Sequence, residues 1–151
     1  MRIEDLSGYR LILASRSPRR QELLSDLGLD FDVIVRDWSE IYPSELKGEQ
    51  IALYVAEEKA RSFMSGLQEN EIVITADTIV WCDGQVLDKP LDDDDAMKIL
   101  RDISGKTHEV ITGVCILSRF KMKSFFSLTK VTFKDLSEDE LRYYVKNYKI
   151  G

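Results

Sequence analysis

The chain is poor in the side chains that usually build transition-metal sites, with one histidine and two cysteines among 151 residues. A two-histidine metal site is excluded, and a Ser-His-Asp triad would depend wholly on His108. Cys82 and Cys115 each stand alone in apolar, strand-like sequence without a C-x-x-C, which argues against a cysteine zinc site. They read as buried free thiols in a reducing compartment. No apolar run reaches the roughly 18 residues of a membrane span. The opening MRIEDLSGYR lacks a signal-peptide core. A soluble cytoplasmic protein is expected. Positive charge is also in deficit: 21 Lys and Arg stand against 27 Asp and Glu, a formal net charge of −6. Neither nucleic acid nor an anionic membrane is an expected partner, and any bound anion must be met by a local basic cluster.

The length suggests one domain. Leu11–Ala14 reads as a short buried strand, followed by a helix from Pro18 to Leu27 with Ser17 as N-cap and Gly28 beyond its end. Leu23, Leu24 and Leu27 form the apolar stripe of that helix. A strand is expected over Phe31–Trp38, then a polar loop containing Pro43 and Gly48. The spacing of Ala52, Ala56, Ala60, Phe63 and Leu67 predicts a helix over Glu49–Leu67. Ile72–Leu87 is strand-rich, with a tight turn at Asp83-Gly84. LDDDDAMKILRDIS reads as a helix whose first-turn acids suit its dipole. Strands over Thr107–Phe120 and Ser124–Phe133 are expected to be joined by KMKS. Ser137 and Glu140 form a capping box for a last helix, Glu138–Asn147. The order β-α-β-α-β-β-α-β-β-α indicates an α/β domain with a mixed β-sheet flanked by helices.

Four stretches could carry chemistry. SRSPRR, Ser15 to Arg20, places serine hydroxyls and arginines at a helix start, where backbone N–H groups favour anions. Arg19 and Arg20 could bind phosphate through charge-assisted contacts, or lie on a solvated face and tolerate the dipole. Asp77, in IVITADTIVW, is a carboxylate inside an apolar strand. It is either a metal ligand or general base, or the start of a turn bonded to its own backbone. Thr78 could donate a hydroxyl beside it. Lys59 points into the apolar face of its helix, either snorkelling to the rim or reaching a phosphate. Lys89 in LDKP is held extended by Pro90. Two other features carry bland readings. Asp92–Asp95 resembles a metal site, but successive helical positions do not converge, so it reads as a cap. His108 reads as a hydrogen-bonded structural residue.

LASRSPRRQELL, EEKA, ADTIV, LDKP, SGKTHEVITGV and VTFKDLSEDEL occur in this order between about Leu11 and Lys149. Together they resemble the Maf family of nucleotide pyrophosphatases. The resemblance implies a mixed-sheet α/β fold related to inosine-triphosphate pyrophosphatases. It also implies hydrolysis of a nucleoside triphosphate to the monophosphate and pyrophosphate with Mg²⁺ or Mn²⁺. Ser15, Arg19 and Arg20 match the phosphate-binding motif, and Lys59 and Lys89 match further triphosphate contacts. Asp77 matches the catalytic acid, and Glu40 a carboxylate near the metal. SPRR with ADT, and so Arg19 with Thr78, is similar to the subfamily acting on dTTP and UTP. Homodimers are common in the family. Arg16 stands where the family often has a small residue. Family members continue with a DKAGAYGIQG-like stretch, so the resemblance implies a Maf-like domain, residues 1–151, shortened at its C-terminus. The alternative function is a nucleotide-binding regulator of cell division without turnover.

Overall fold

A computed structural model describes residues 8–36, 41–87 and 91–147. The elements follow the expected order. They are β1 (Arg10–Leu13), α1 (Pro18–Asp26), β2 (Asp32–Val33), α2 (Glu49–Arg61), β3 (Glu71–Cys82), β4 (Gln85–Leu87), α3 (Asp93–Ile103), β5 (Thr107–Ser118), β6 (Met122–Thr132) and α4 (Glu138–Asn147). The sheet runs β2-β1-β3-β5-β6, with β4 added to β3. It is mixed, because β1 pairs in parallel with β2 and β3 while β3 and β4 are antiparallel. The chain forms two compact units. The first is Met1–Asp77 with Thr112–Phe126, and the second is Thr78–Ile111 with Ser127–Gly151.

In the first unit, β1 and β3 are in register from Arg10↔Glu71 to Leu13↔Ile74. Arg10 fastens this edge by donating from Nε to Asp32 at 2.7 Å and from Nη1 to Glu71 at 2.6 Å. Glu71 also accepts from the Gln68 N–H at 2.8 Å. That backbone bond, more than the Arg10 guanidinium, holds its carboxyl below the usual carboxylate range. The core is built from Ile12, Ala56, Ala60, Phe63, Leu67, Val73, Cys115 and Leu117. Small residues let α2 approach closely. A Cβ at Gly113 would fall 2.6 Å from the Ala52 carbonyl carbon and oxygen, so any side chain there must push the helix away.

Four expectations shift here. The helix α2 stops at Arg61, and Phe63 and Leu67 enter the core around a 3₁₀ turn at Met64–Gly66. The Ser62 hydroxyl donates to the Lys59 carbonyl at 2.6 Å and the Phe63 N–H bonds Ala60, which tightens the last turn. Strand β2 is only two residues long, pairing with Ile12 and Leu13 of β1; residues 37–40 lie outside the described ones. The β5–β6 turn closes early, at 119–121 rather than at KMKS. Ser118 Oγ accepts from the N–H groups of both Phe120 and Lys121. Finally, α1 buries no residue, and Leu23 and Leu27 are 53% and 56% exposed. Periodicity gives a helix an apolar stripe, but only packing decides what that stripe meets.

In the second unit β3 turns into β4 through Asp83 and Gly84, both at positive φ (53° and 76°), the backbone of a tight hairpin. Cys82, Leu100, Ile103 and Leu141 form its core, between α3 and α4. Arg101 makes a two-pronged bond to Glu138 across these helices, at 3.0 and 3.1 Å. His108 is buried and stacked on Phe133 with ring centroids 5.3 Å apart. Its Nδ1 makes no hydrogen bond among the described residues, contrary to the hydrogen-bonded role expected from the sequence. Stacking occupies the ring face, and burial pushes its pKa down, which favours the neutral ring.

Candidate active site

The strand β1 ends at Leu13 and the chain turns directly into α1. Ser15 is buried, at 7% exposure, and its Oγ accepts from the Ser17 N–H at 3.1 Å. Ser17 caps the helix, accepting from the Arg20 N–H at 3.3 Å, and Gln21 Nε2 reaches back to the Ser15 carbonyl. Pro18 has no N–H to satisfy. The helix start is therefore largely closed by its own side chains. The Arg16 and Arg19 side chains are exposed and Arg20 is half-buried.

Beside this turn runs β3. The Ala14 N–H donates to the Ile74 carbonyl at 3.0 Å, so the parallel ladder continues one step past β1. Continuing that register brings the Ser15 turn alongside the Ala76–Asp77 segment. Ligand sites in parallel sheets form at this carboxyl end of the strands. Asp77 lies mid-strand at 6% exposure, which removes the turn reading. Lys59 Nζ stands 3.6 Å from Asp77 Oδ1, with the lysine side chain 20% and the aspartate 7% exposed. An opposite charge at that distance offsets part of the desolvation cost of the carboxylate. The Lys59 side chain is mostly buried and its ammonium ends at the carboxylate.

The structure thus brings Lys59 and Asp77 together, and β1, the parallel neighbour of β3, leads directly into the Ser15–Arg20 turn. Thr78 follows on β3, is exposed, and by strand alternation faces away from Asp77. Glu40 and Lys89 lie outside the described residues. Asp92–Asp95 is a cap, as expected, with Asp92 accepting from the Asp95 N–H at 2.7 Å. Burial pushes the thiols of Cys82 and Cys115 up, Cys115 to about 11, so neither is a ready thiolate nucleophile.

The sequence reading missed two residues, Thr75 and Gly113. Thr75 is fully buried and its hydroxyl donates to the Ala56 carbonyl of α2 at 2.5 Å. A threonine two positions before Asp77, on the same strand face, was the available signal. For a divalent cation, no group of three His, Cys, Asp or Glu gathers among the described residues. Asp77 offers a hard oxygen donor from within β3. That suits an ion of the Mg²⁺ type, which is commonly held by one or two carboxylates plus substrate phosphates rather than by an all-protein cage.

Parallel strands β1 and β3, a basic helix start directly after β1 and a buried Lys–Asp pair between α2 and β3 define an α/β fold. The chain belongs to the Maf family; the model of the family described as "Maf-like protein" matches residues 10–150. It is 49% identical over 148 residues to a dTTP/UTP pyrophosphatase of Phocaeicola vulgatus, covering 97% of this chain and 77% of that protein. A dTTP/UTP pyrophosphatase of Flavobacterium johnsoniae is 48% identical over 146 residues, covering 97% of this chain and 75% of that protein. In fold, the chain is similar to the Staphylococcus aureus Ham1 protein, with a TM-score of 0.50 at 14% identity over 80% of this chain and 70% of that one.

Proposed function

We propose that this protein is a nucleoside triphosphate pyrophosphatase that hydrolyses dTTP and UTP to the monophosphate and pyrophosphate. The observation that carries this reading is the buried Lys59–Asp77 pair, on the strand whose parallel neighbour β1 runs into the arginine-bearing start of α1. The high identity to relatives named for this activity supports the choice of substrate. Ser15, Arg19, Arg20 and Lys59 bind the triphosphate, the arginines through charge-assisted contacts and Lys59 as a point charge. Asp77 orients the attacking water and takes up its proton. The new bond forms from that water to the α-phosphorus. The bond from the α-phosphorus to the α–β bridging oxygen breaks, and pyrophosphate leaves. Asp77, with Glu40, would hold Mg²⁺ or Mn²⁺, which when bound neutralises phosphate charge. Positioning and charge neutralisation supply most of the acceleration.

The same reading includes a homodimer in a reducing cytoplasm with no nucleic-acid partner. The free buried cysteines and the net charge of −6 support the last two features. The chain has no described helix long and apolar enough to cross a membrane. The decisive experiment is pyrophosphate release from a panel of nucleoside triphosphates with Mg²⁺ or Mn²⁺. Release is expected fastest from dTTP and UTP, and Asp77→Asn is expected to lose about 100-fold or more. Binding of dTTP without product, or an Asp77→Asn variant as fast as the parent, would refute the reading.

A further inference from the structure

We propose that Thr75 is a positioning residue that sets the Lys59–Asp77 pair; this deepens the pyrophosphatase reading above and rests on it. Beside the Ser124 hydroxyl of β6, which donates to Glu57 at 2.7 Å, three contacts tie α2 to the strands in the first unit. Ala52 backbone meets Gly113 with no room for a Cβ, Thr75 Oγ1 donates to the Ala56 carbonyl at 2.5 Å, and Lys59 Nζ meets Asp77 at 3.6 Å. On α2 these fall at 52, 56 and 59, one face of a helix. On β3 the last two fall at 75 and 77, one face of a strand. The Thr75 bond is thus the step immediately before the functional pair on both elements.

The hydroxyl is not needed to fill space or to satisfy the helix. Valine has nearly the same shape, and the Ala56 carbonyl, inside α2, already has the i+4 N–H as its helical partner. What the hydroxyl adds is a register. Thr75 is 0% exposed, so its O–H has no water to turn to and must find its acceptor within the protein. A slide of α2 by one residue, about 1.5 Å along its axis, breaks that bond. The same slide moves the Lys59 ammonium relative to Asp77. Apolar contacts with Val73 and the alanines tolerate such a shift more readily, because burial is non-directional. Thr75 therefore converts a loosely specified helix–sheet contact into a fixed distance between the charge that binds phosphate and the carboxylate that handles water.

The test compares the full chain with Thr75→Val, which removes the hydroxyl, and Thr75→Ser, which keeps it. Thr75→Val is expected to lower kcat for dTTP by about tenfold, while Thr75→Ser stays within about threefold of the parent. A merely structural role would make the effects of Thr75→Val and Lys59→Met multiply. A positioning role acting through Lys59 predicts that Thr75→Val costs less than about twofold when added to Lys59→Met. Crystal structures of the variants give a readout independent of turnover. The Lys59–Asp77 separation should open beyond 4 Å, the limit for an ion pair, in Thr75→Val and stay near 3.6 Å in Thr75→Ser. If Thr75→Val does not fold, Thr75→Ala carries the same expectations. Parental kcat in Thr75→Val, a full second tenfold loss in the Lys59→Met background, or an unchanged separation overturns the proposal. A parent that releases no pyrophosphate overturns the functional reading instead, and the separation still decides the role of Thr75.

Discussion

The starts of α1 and α3 are closed by the same capping bond and carry opposite charge. Ser17 accepts from the Arg20 N–H at 3.3 Å, and Asp92 accepts from the Asp95 N–H at 2.7 Å. In both, the cap residue satisfies a helix N–H three positions on. The first turn of α3 carries Asp93, Asp94 and Asp95, and that of α1 carries no acid but Arg19 and Arg20. The helix α4 repeats the acidic pattern, with Ser137 and Glu140 capping each other. Acids at α3 and α4 follow the dipole and stabilise the fold, whereas the arginines of α1 oppose it. A helix start whose charges oppose the dipole, where α3 and α4 follow it, is what the proposed triphosphate site calls for.

The largest expected effect breaks the comparison at Arg20, the half-buried arginine of α1. Arg20→Ala should lower pyrophosphate release about 100-fold. A fall in thermal midpoint with release intact would show that Arg20 is structural. Next in size is the cap of α3. Asp92→Ala should cost about 0.5–2 kcal/mol in urea unfolding and leave release at the parental rate. Charge swaps sharpen the contrast further. Asp93→Arg should destabilise, and Arg19→Glu should stabilise, each by about 0.3–1 kcal/mol, with release lost only in the second.

The smallest effect is a difference in acid response. The Lys134 ammonium, 2.6 Å away, and then the Ser137 N–H hold the Glu140 carboxyl below its ordinary value. A lowered carboxyl pKa gives stability that is present above the unfolded pKa and is lost as pH falls through the folded one. Amide exchange at the start of α4 should therefore quicken below about pH 4.5, the ordinary Glu range. The start of α1, with no acid to titrate, should not respond in that window. Equal acceleration at both starts would contradict the assignment.

Most of the architecture is legible locally. The order of elements, the capping box of α4, the Asp92 cap and the Asp83-Gly84 turn all follow from short-range patterns. Each is decided by residues within three or four positions of one another. The misses are longer-range or competitive. Leu23 and Leu27 form a proper helical stripe, yet remain exposed. The hairpin turn was misplaced because the Ser118 hydroxyl takes two backbone donors and closes it early. Thr75 carries no local mark that sets it apart from other strand threonines, because its acceptor lies 19 residues away.

The sequence by itself determined the inventory: a basic helix start, a carboxylate inside an apolar strand, a lysine on an apolar helix face, and too few histidines and cysteines for other chemistries. It also determined where helices begin, since caps act over a single turn. Only the tertiary structure decided that Lys59 meets Asp77, and that Thr75 and Gly113 set how closely and in what register α2 lies on its strands. Hydrophobic periodicity fixes which face of an element is buried. It does not fix how far one element slides along another, and that slide sets the distance between the groups that must act together.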